Sequence, residues 1–195
     1  MDALLRQLGF IREIDKLKTI LRKTRLICVD RRENDAEHSW HLAMMAVVLA
    51  EHANEPIDLL RVMKMVLIHD VVEIDAGDTF IYDTTRSHAN TEAERQGAQR
   101  IFGLLPAPQA AELIALWEEF EAGRTADARF AKALDRLEPI LQNAANRGGT
   151  WVEFGVDYER VHEKKQAIQH GSEALWAFTE RLLQECVEQG FLKKG

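Results

Sequence analysis

His69-Asp70 is the dipeptide of this chain with the most chemistry in it. The run around it, Val62 to Ile74, is apolar nearly throughout. An ionised carboxylate beside an imidazole is costly to bury in such surroundings unless something compensates it. A bound cation would do so. Glu73 follows Asp70 by three positions and His69 by four, so a helix would set all three on one face. Two more residues stand in similar settings: His38 at the head of an apolar segment, and Asp135 between Leu134 and Leu137. Each alone has a plain explanation in packing, because single buried histidines and aspartates often just satisfy a neighbouring backbone. Taken together, with Asp78 nearby, they describe an imidazole and carboxylate metal site, although spacing alone leaves the packing reading open.

An anionic substrate at such a site needs local cations, because the chain as a whole is acidic. Lys plus Arg total 25 against 32 Asp plus Glu, a formal net charge of −7. That balance argues against a non-specific nucleic-acid binder, whose affinity comes mostly from neutralised phosphates. Upstream of His38 lie Arg22, Lys23 and Arg25, then Arg31 and Arg32. A solvated basic helix end is the competing explanation for the first three.

The elements that must position these residues read as helices. Leu4, Leu8, Ile11, Ile14, Leu17 and Leu21 recur every three or four positions, a long amphipathic first helix that ends in the cations. Arg25 to Asp35 reads as a loop. A second helix begins near Ala36 and ends around Ala53-Asn54. Asp58 caps a third over Leu59 to Ile74, whose second half also fits a buried strand; its length favours the helix. A loop runs from Gly77-Asp78-Thr79 through Ser87, and Thr91 with Glu94 is a capping-box signature for a helix ending at Gly103. The next helix stops at Gly123, and Thr125 caps another in which Pro139 predicts a kink. Gly148-Gly149 breaks the chain before helices over Asp157 to Gln169 and Ser172 to Gln189.

The expected fold is therefore all-α, a single domain over residues 1–195. Its 195 residues suffice for one sizeable core, and 46% hydrophobic with 29% charged residues is an ordinary globular mix. Only 11 Gly and 4 Pro leave little material for the turns of a sandwich or barrel. No apolar run approaches bilayer length and no signal-peptide core is visible, so the expectation is a cytoplasmic protein with no membrane association. Cys28 and Cys186 are too isolated to suggest a disulfide framework or zinc ribbon.

The ordered set Glu37-His38-Ser39, His69-Asp70 with Glu73, Gly77-Asp78-Thr79, and Asp135 within Lys132-Ala133-Leu134-Asp135-Arg136 resembles the HD-domain metal-dependent phosphohydrolases. It is closest to the branch of bacterial 5'-deoxynucleotidases and their uncharacterised relatives. The resemblance covers about residues 10–145, with the C-terminal helices at 157–190 packing on that core. It implies an HD-type bundle of roughly seven to nine helices. It further implies one metal ion on His38, His69, Asp70 and Asp135. That donor set suits Mn, Co, Fe or Ni, with Zn possible. Relatives with two metals recruit extra histidines between the His-Asp pair and the last aspartate, where this chain has only His88.

The resemblance maps catalytic acids onto Glu73 and Asp78, without deciding which orients water and which protonates the leaving group. It puts a phosphate-binding arginine in the upstream basic stretch, with Arg25 the first candidate, Arg22 and Lys23 next, and Thr79 alongside. One departure stands out: deoxynucleotidases carry an Arg-Trp pair where this chain has Lys23-Thr24, which leaves deoxyribose selectivity open. The implied activity is phosphomonoester hydrolysis on nucleoside 5'-monophosphates. Alternatives are a phosphodiesterase or nucleoside triphosphate hydrolase, which would need further cations, or a catalytically silent binding module. No nucleic-acid polymer is implied as partner; a homodimer is. His41 reads as a supporting or packing residue, Trp117 and Phe120 as core, and Trp151 as a cover for the domain or a subunit interface.

Overall fold

The computed structural model describes residues 1–83 and 92–195. Ser87, His88 and the Thr91 cap lie outside the described residues. In chain order the helices are α1 (Asp2–Ile14), α2 (Asp35–Leu49), α3 (Leu59–Ile68), α4 (Glu73–Ala76), α5 (Glu92–Phe102), α6 (Ala107–Ala122), α7 (Ala126–Ala145), α8 (Gly149–Glu153), α9 (Tyr158–Lys165) and α10 (Glu173–Glu188). Eight of them run for eight residues or more, within the expected range. Their starts are chemically marked. Asp58, Thr125, Asp157 and Ser172 each accept a backbone N–H at an N-cap. Asn34 and Glu37 form a reciprocal capping box at the head of α2, which fixes where His38 begins its turn. Gly123 ends α6 in the left-handed conformation.

Two departures from the expected elements bear on the site. The first helix stops at Ile14, and after a 3-10 turn the chain becomes strand β1 (Leu21–Arg25), paired antiparallel with β2 (Arg32–Asn34). Arg22, Lys23 and Arg25 thus sit on a hairpin rather than a helix end. The apolar spacing carries past the real helix end because Leu17 packs inward from the 3-10 turn. The other departure is in the His-Asp segment. The α3 helix ends at Ile68, tightens into a 3-10 turn over His69–Val72, and resumes as α4. The strand alternative is not realised. Pro139 lies within α7, which stays one helix of 20 residues.

The core has two parts. The larger is built from α2, α3, α7 and the C-terminal helices, around Leu42, Met65, Val66, Leu134 and Leu137. The smaller gathers Phe10, Leu17, Val71, Val72, Ile101 and Trp117, from α1, the 3-10 turns, α5 and α6. Ile68 borders both clusters, so the His69–Asp70 turn lies at the seam between them. Leu4, Leu8 and Ile11 on α1 are exposed, so the first helix turns part of its apolar face outward. No helix among the described residues is long and apolar enough to cross a membrane.

Candidate metal centre

The packing of α2, α3 and α7 brings together residues nearly 100 positions apart. His38 Nε2 lies 3.1 Å from Asp135 Oδ1, and His69 Nε2 lies 3.7 Å from the same oxygen. One donor atom each from His38, His69 and Asp135 falls within a 4.8 Å sphere of separations. Asp70 adjoins this trio: its Oδ1 is 3.0 Å from His69 Nε2 and its Oδ2 is 4.0 Å from His38 Nε2. The four ligand candidates therefore converge, although Asp70 also accepts a hydrogen bond of 2.9 Å from Arg22.

The tautomer of His69 tests whether a cation fits. Its Nδ1 is 2.9 Å from the carbonyl oxygen of Val66, which only accepts, so Nδ1 carries the proton. In neutral imidazole that leaves a lone pair on Nε2, a buried atom with no hydrogen-bond partner, facing two carboxylates. Lone pair against anion is repulsive. Either a second proton or a metal ion must lie between them, and the donor set of imidazole and carboxylate suits a divalent transition metal. In the metal-free chain the second proton wins. Burial opposes it, but Asp70 and Asp135 outweigh burial and lift the His69 pKa to about 10. His38 behaves alike: burial and Arg22 oppose its protonation, yet Asp135 and Glu138 hold its pKa up at about 9. Burial works against ionised Asp135 too, but the two imidazoles pull its pKa well below the ordinary aspartate value.

Behind the trio stands Glu138, one turn beyond Asp135 on α7 and fully buried. It accepts a hydrogen bond from His41 Nδ1 at 3.2 Å, and its other oxygen is 3.3 Å from His38 Nδ1. His41 thus holds the carboxylate whose other oxygen faces His38. Burial would raise Glu138, but contacts with both histidines bring its pKa down to about 2. Glu33, on β2, lies 3.7 Å from both His38 Nδ1 and Arg22 Nε, and burial together with Glu138 raises its pKa to about 7.

A second acidic group flanks the first. Oxygens of Asp35, Glu73 and Asp78 all lie within 4.8 Å of one another. Burial, then repulsion from Asp70, Asp35 and Asp78, pushes Glu73 well above the usual glutamate range. Burial also raises Asp78, with Arg22 opposing. Gly77, at φ +75°, ends α4 with a conformation that side chains rarely adopt, and so turns Asp78 back toward Glu73.

These groups open onto a cavity of about 340 Å³, within the range of small-molecule sites. Its wall includes His69, Asp70, Glu73, Asp78, Thr79 and Asp135, with Phe80, Tyr82 and Trp151 as an aromatic side. Trp151, expected as cover, is a cavity residue.

The sequence of this chain from residue 14 to 176 matches the family model described as HD domain. The chain belongs to the HD domain family. This HD-domain protein is 32% identical over 136 residues to human 5'-deoxynucleotidase HDDC2, a match covering 69% of this chain and 65% of the human protein. The chain thus spans slightly less than two thirds of that relative's length. The Xenopus laevis 5'-deoxynucleotidase HDDC2 is 29% identical over 163 residues, 83% of this chain and 74% of that protein. A crystal structure of a predicted metal-dependent phosphohydrolase from Magnetospirillum magnetotacticum MS-1 superposes with a TM-score of 0.92 at 55% identity, covering 98% and 96% of the two chains. A conserved hypothetical protein from Pyrococcus furiosus, 24% identical with a TM-score of 0.60 over 93% and 97% of the chains, shares the fold.

The cations of the HD-domain protein fall differently from the sequence expectation. Arg22, Lys23 and Thr24 line the cavity, whereas Arg25 does not; its guanidinium donates to Asp30 at 2.6 Å beside the hairpin loop. The reason is the strand: Arg25 pairs with Arg32 at the loop end of the hairpin, while Arg22 is nearer the end at which Leu21 pairs with Asn34 and α2 begins. Arg22 is itself engaged, within 3.7 Å of Glu33, 3.6 Å of Asp35 and 2.9 Å of Asp70. Arg31 and Arg32 pair with Glu37 and Glu153. Further cations come from the other wall: Lys132, Arg136, Lys164 and Lys165.

Glu33, Asp35, Glu138 and Lys165 escape the sequence reading. Glu138 carried a usable signal, since it lies three residues after Asp135 and so shares its helix face. Lys165 carried none. It follows His162-Glu163-Lys164, which reads as a solvated stretch.

Proposed function

We propose that the protein is a metal-dependent phosphomonoesterase acting on nucleoside 5'-monophosphates, with His38, His69, Asp70 and Asp135 holding one divalent ion, Mn, Co, Fe, Ni or Zn. The observation that carries this reading is the buried His69 Nε2, an atom with no hydrogen-bond partner, set against Asp70 and Asp135 beside a cavity large enough for a small ester. Identity to proteins named 5'-deoxynucleotidase supports the substrate class. A divalent ion held there supplies Lewis acidity toward a phosphoryl oxygen and makes water a stronger nucleophile near neutral pH.

The chain's own residues do the rest. Glu138 and His41 fix the His38 ring, and the Val66 carbonyl fixes that of His69, so both Nε2 atoms are preset. Three carboxylates as close as Asp35, Glu73 and Asp78 cannot all be ionised, so the group shares protons. That suits a site in which one carboxyl orients water and another protonates the leaving alkoxide, with Glu73 and Asp78 in those roles. Lys23 and Thr79 reach the cavity as substrate contacts, and Arg22 holds Asp70 in place. The aromatic side of Phe80, Tyr82 and Trp151 is the place for the nucleoside. Lys23-Thr24 takes the place of the Arg-Trp pair of deoxynucleotidases, and both residues line the cavity, so no tryptophan there excludes a 2'-hydroxyl.

A nucleoside triphosphate or diester substrate is the second reading, favoured by the cations of the α7 and α9 wall. The exposed stripe Trp40, Met44, Val47 and Val48 on α2 is the surface on which a homodimer would pair. The test is phosphate release by Mn- or Co-loaded protein across nucleoside mono-, di- and triphosphates and a diester. Release from monophosphates alone is expected. No release from any monophosphate, with turnover of a triphosphate or diester, selects the second reading; no turnover at all leaves a binding module.

A further inference from the structure

Lys165 ends α9 with its side chain on the wall of the cavity and only 3% of its surface exposed. An ammonium in that position normally has a carboxylate against it. Here none pairs with it among the described residues: its favourable interactions, with Asp135 and Glu138, are long-range, and Arg136 and Arg22 oppose them. Burial is the larger influence and lowers its pKa to about 8. Asp135 is moreover committed to the two imidazoles, and a cation seated there would neutralise what it offers Lys165. Arg136, on the same wall, has a buried Nε with no hydrogen-bond partner. Two neighbouring cationic side chains with unused donors, facing a cavity that ends in a metal site, are complementary to an oxyanion.

We propose that Lys165, with Arg136 beside it, binds the phosphoryl oxygens of the substrate, so that the α7 and α9 wall and not the basic hairpin supplies the principal phosphate contact. This rests on the phosphohydrolase reading for the identity of the anion. The C-terminal helices are thereby part of the active site. Lys164, exposed at the rim, extends the positive wall outward.

The probe is inorganic phosphate, titrated calorimetrically into the Mn-loaded full chain, native and as Lys165→Met and Lys165→Arg. The Met variant should bind phosphate about 10- to 100-fold more weakly, as for a lost charge-assisted contact, and Arg should recover part of the loss. Metal content should be unchanged in both. Because Met removes an unpaired buried charge, its Tm without phosphate should equal or exceed the native value, while the upward Tm shift caused by phosphate should vanish. A merely structural lysine would give the reverse, a lower Tm and an unaltered phosphate affinity, and that result overturns the proposal. So does a native protein that binds no phosphate. Lys165-dependent phosphate binding without turnover of any ester would sustain this inference and defeat the phosphatase reading; turnover with a KM unaffected by Lys165→Met would do the opposite.

Discussion

Replacing Glu138 with Gln should cost the protein metal affinity although Glu138 would touch no metal. One carboxylate oxygen accepts from His41 Nδ1 at 3.2 Å and the other faces His38 Nδ1 at 3.3 Å. An amide of the same shape has only one acceptor oxygen, so its NH2 group must oppose one of the two imidazole N–H groups. The His38 ring then loses either its orientation or the negative charge that makes Nε2 a stronger donor. Loss of such a partner typically weakens metal binding about 10- to 100-fold, or ~1.4–2.7 kcal/mol. Competition of Mn- or Co-loaded protein against a chelator of known affinity measures this directly. Circular dichroism at saturating metal checks that the variant remains folded. A folded Glu138→Gln protein with native metal affinity would mean instead that the His38 ring is set by packing alone.

Metal binding should release protons. His38 and His69 titrate at about 9 and about 10 without metal, so near pH 7.5 both are protonated and both protons must leave. Calorimetry in buffers of different ionisation enthalpy should find about two protons released per ion; a count near zero would contradict the assignment. The same shifts make the metal-free protein less stable as pH rises from 6.5 to 8. Raised histidine pKa values stabilise fully below the unfolded value of about 6.5, and that contribution is lost on the way to the folded values. Above pH 8 the lowered Lys165 begins to act in the opposite sense. A metal-free Tm that climbs between pH 6.5 and 8 would be the wrong sign. Glu73→Gln should abolish turnover while the ion stays bound; loss of the ion instead would make Glu73 a ligand. Arg25→Ala should leave KM within about twofold, the scale of a surface pair, and a larger change would bring Arg25 back to the substrate. Gly148→Ala should destabilise by ~1–3 kcal/mol, read as a lower midpoint in urea. At φ +99° the new Cβ would approach the Phe191 carbonyl oxygen to 2.3 Å; an unchanged midpoint would show that the turn relaxes freely.

Local rules made much of the fold legible. Asp58 and Thr125 cap helices where their side chains predict it, and Gly123 stops α6 because a residue without Cβ tolerates its conformation. The β1–β2 hairpin was hidden because Leu17 and Leu21 continue the spacing of α1, and periodicity cannot tell a long helix from a short one followed by a packed turn. At the site, His38, His69, Asp70 and Asp135 attract notice through their apolar neighbours. Burial of Asp35 or Lys165 depends on which helices close over them, a property of the tertiary arrangement and not of either residue's own segment. Arg25 and Arg22 look equivalent in the sequence; only the strand register separates the one beside Asp30 from the one beside Asp70.

Diffraction from cobalt-loaded crystals at the cobalt absorption edge will show whether one divalent ion joins α2, the His69–Asp70 turn and α7. One strong anomalous peak is expected, about 2.0–2.2 Å from His38 Nε2, His69 Nε2 and oxygens of Asp70 and Asp135. A peak among Asp35, Glu73 and Asp78 instead, or none near His69 at full cobalt loading, would contradict it.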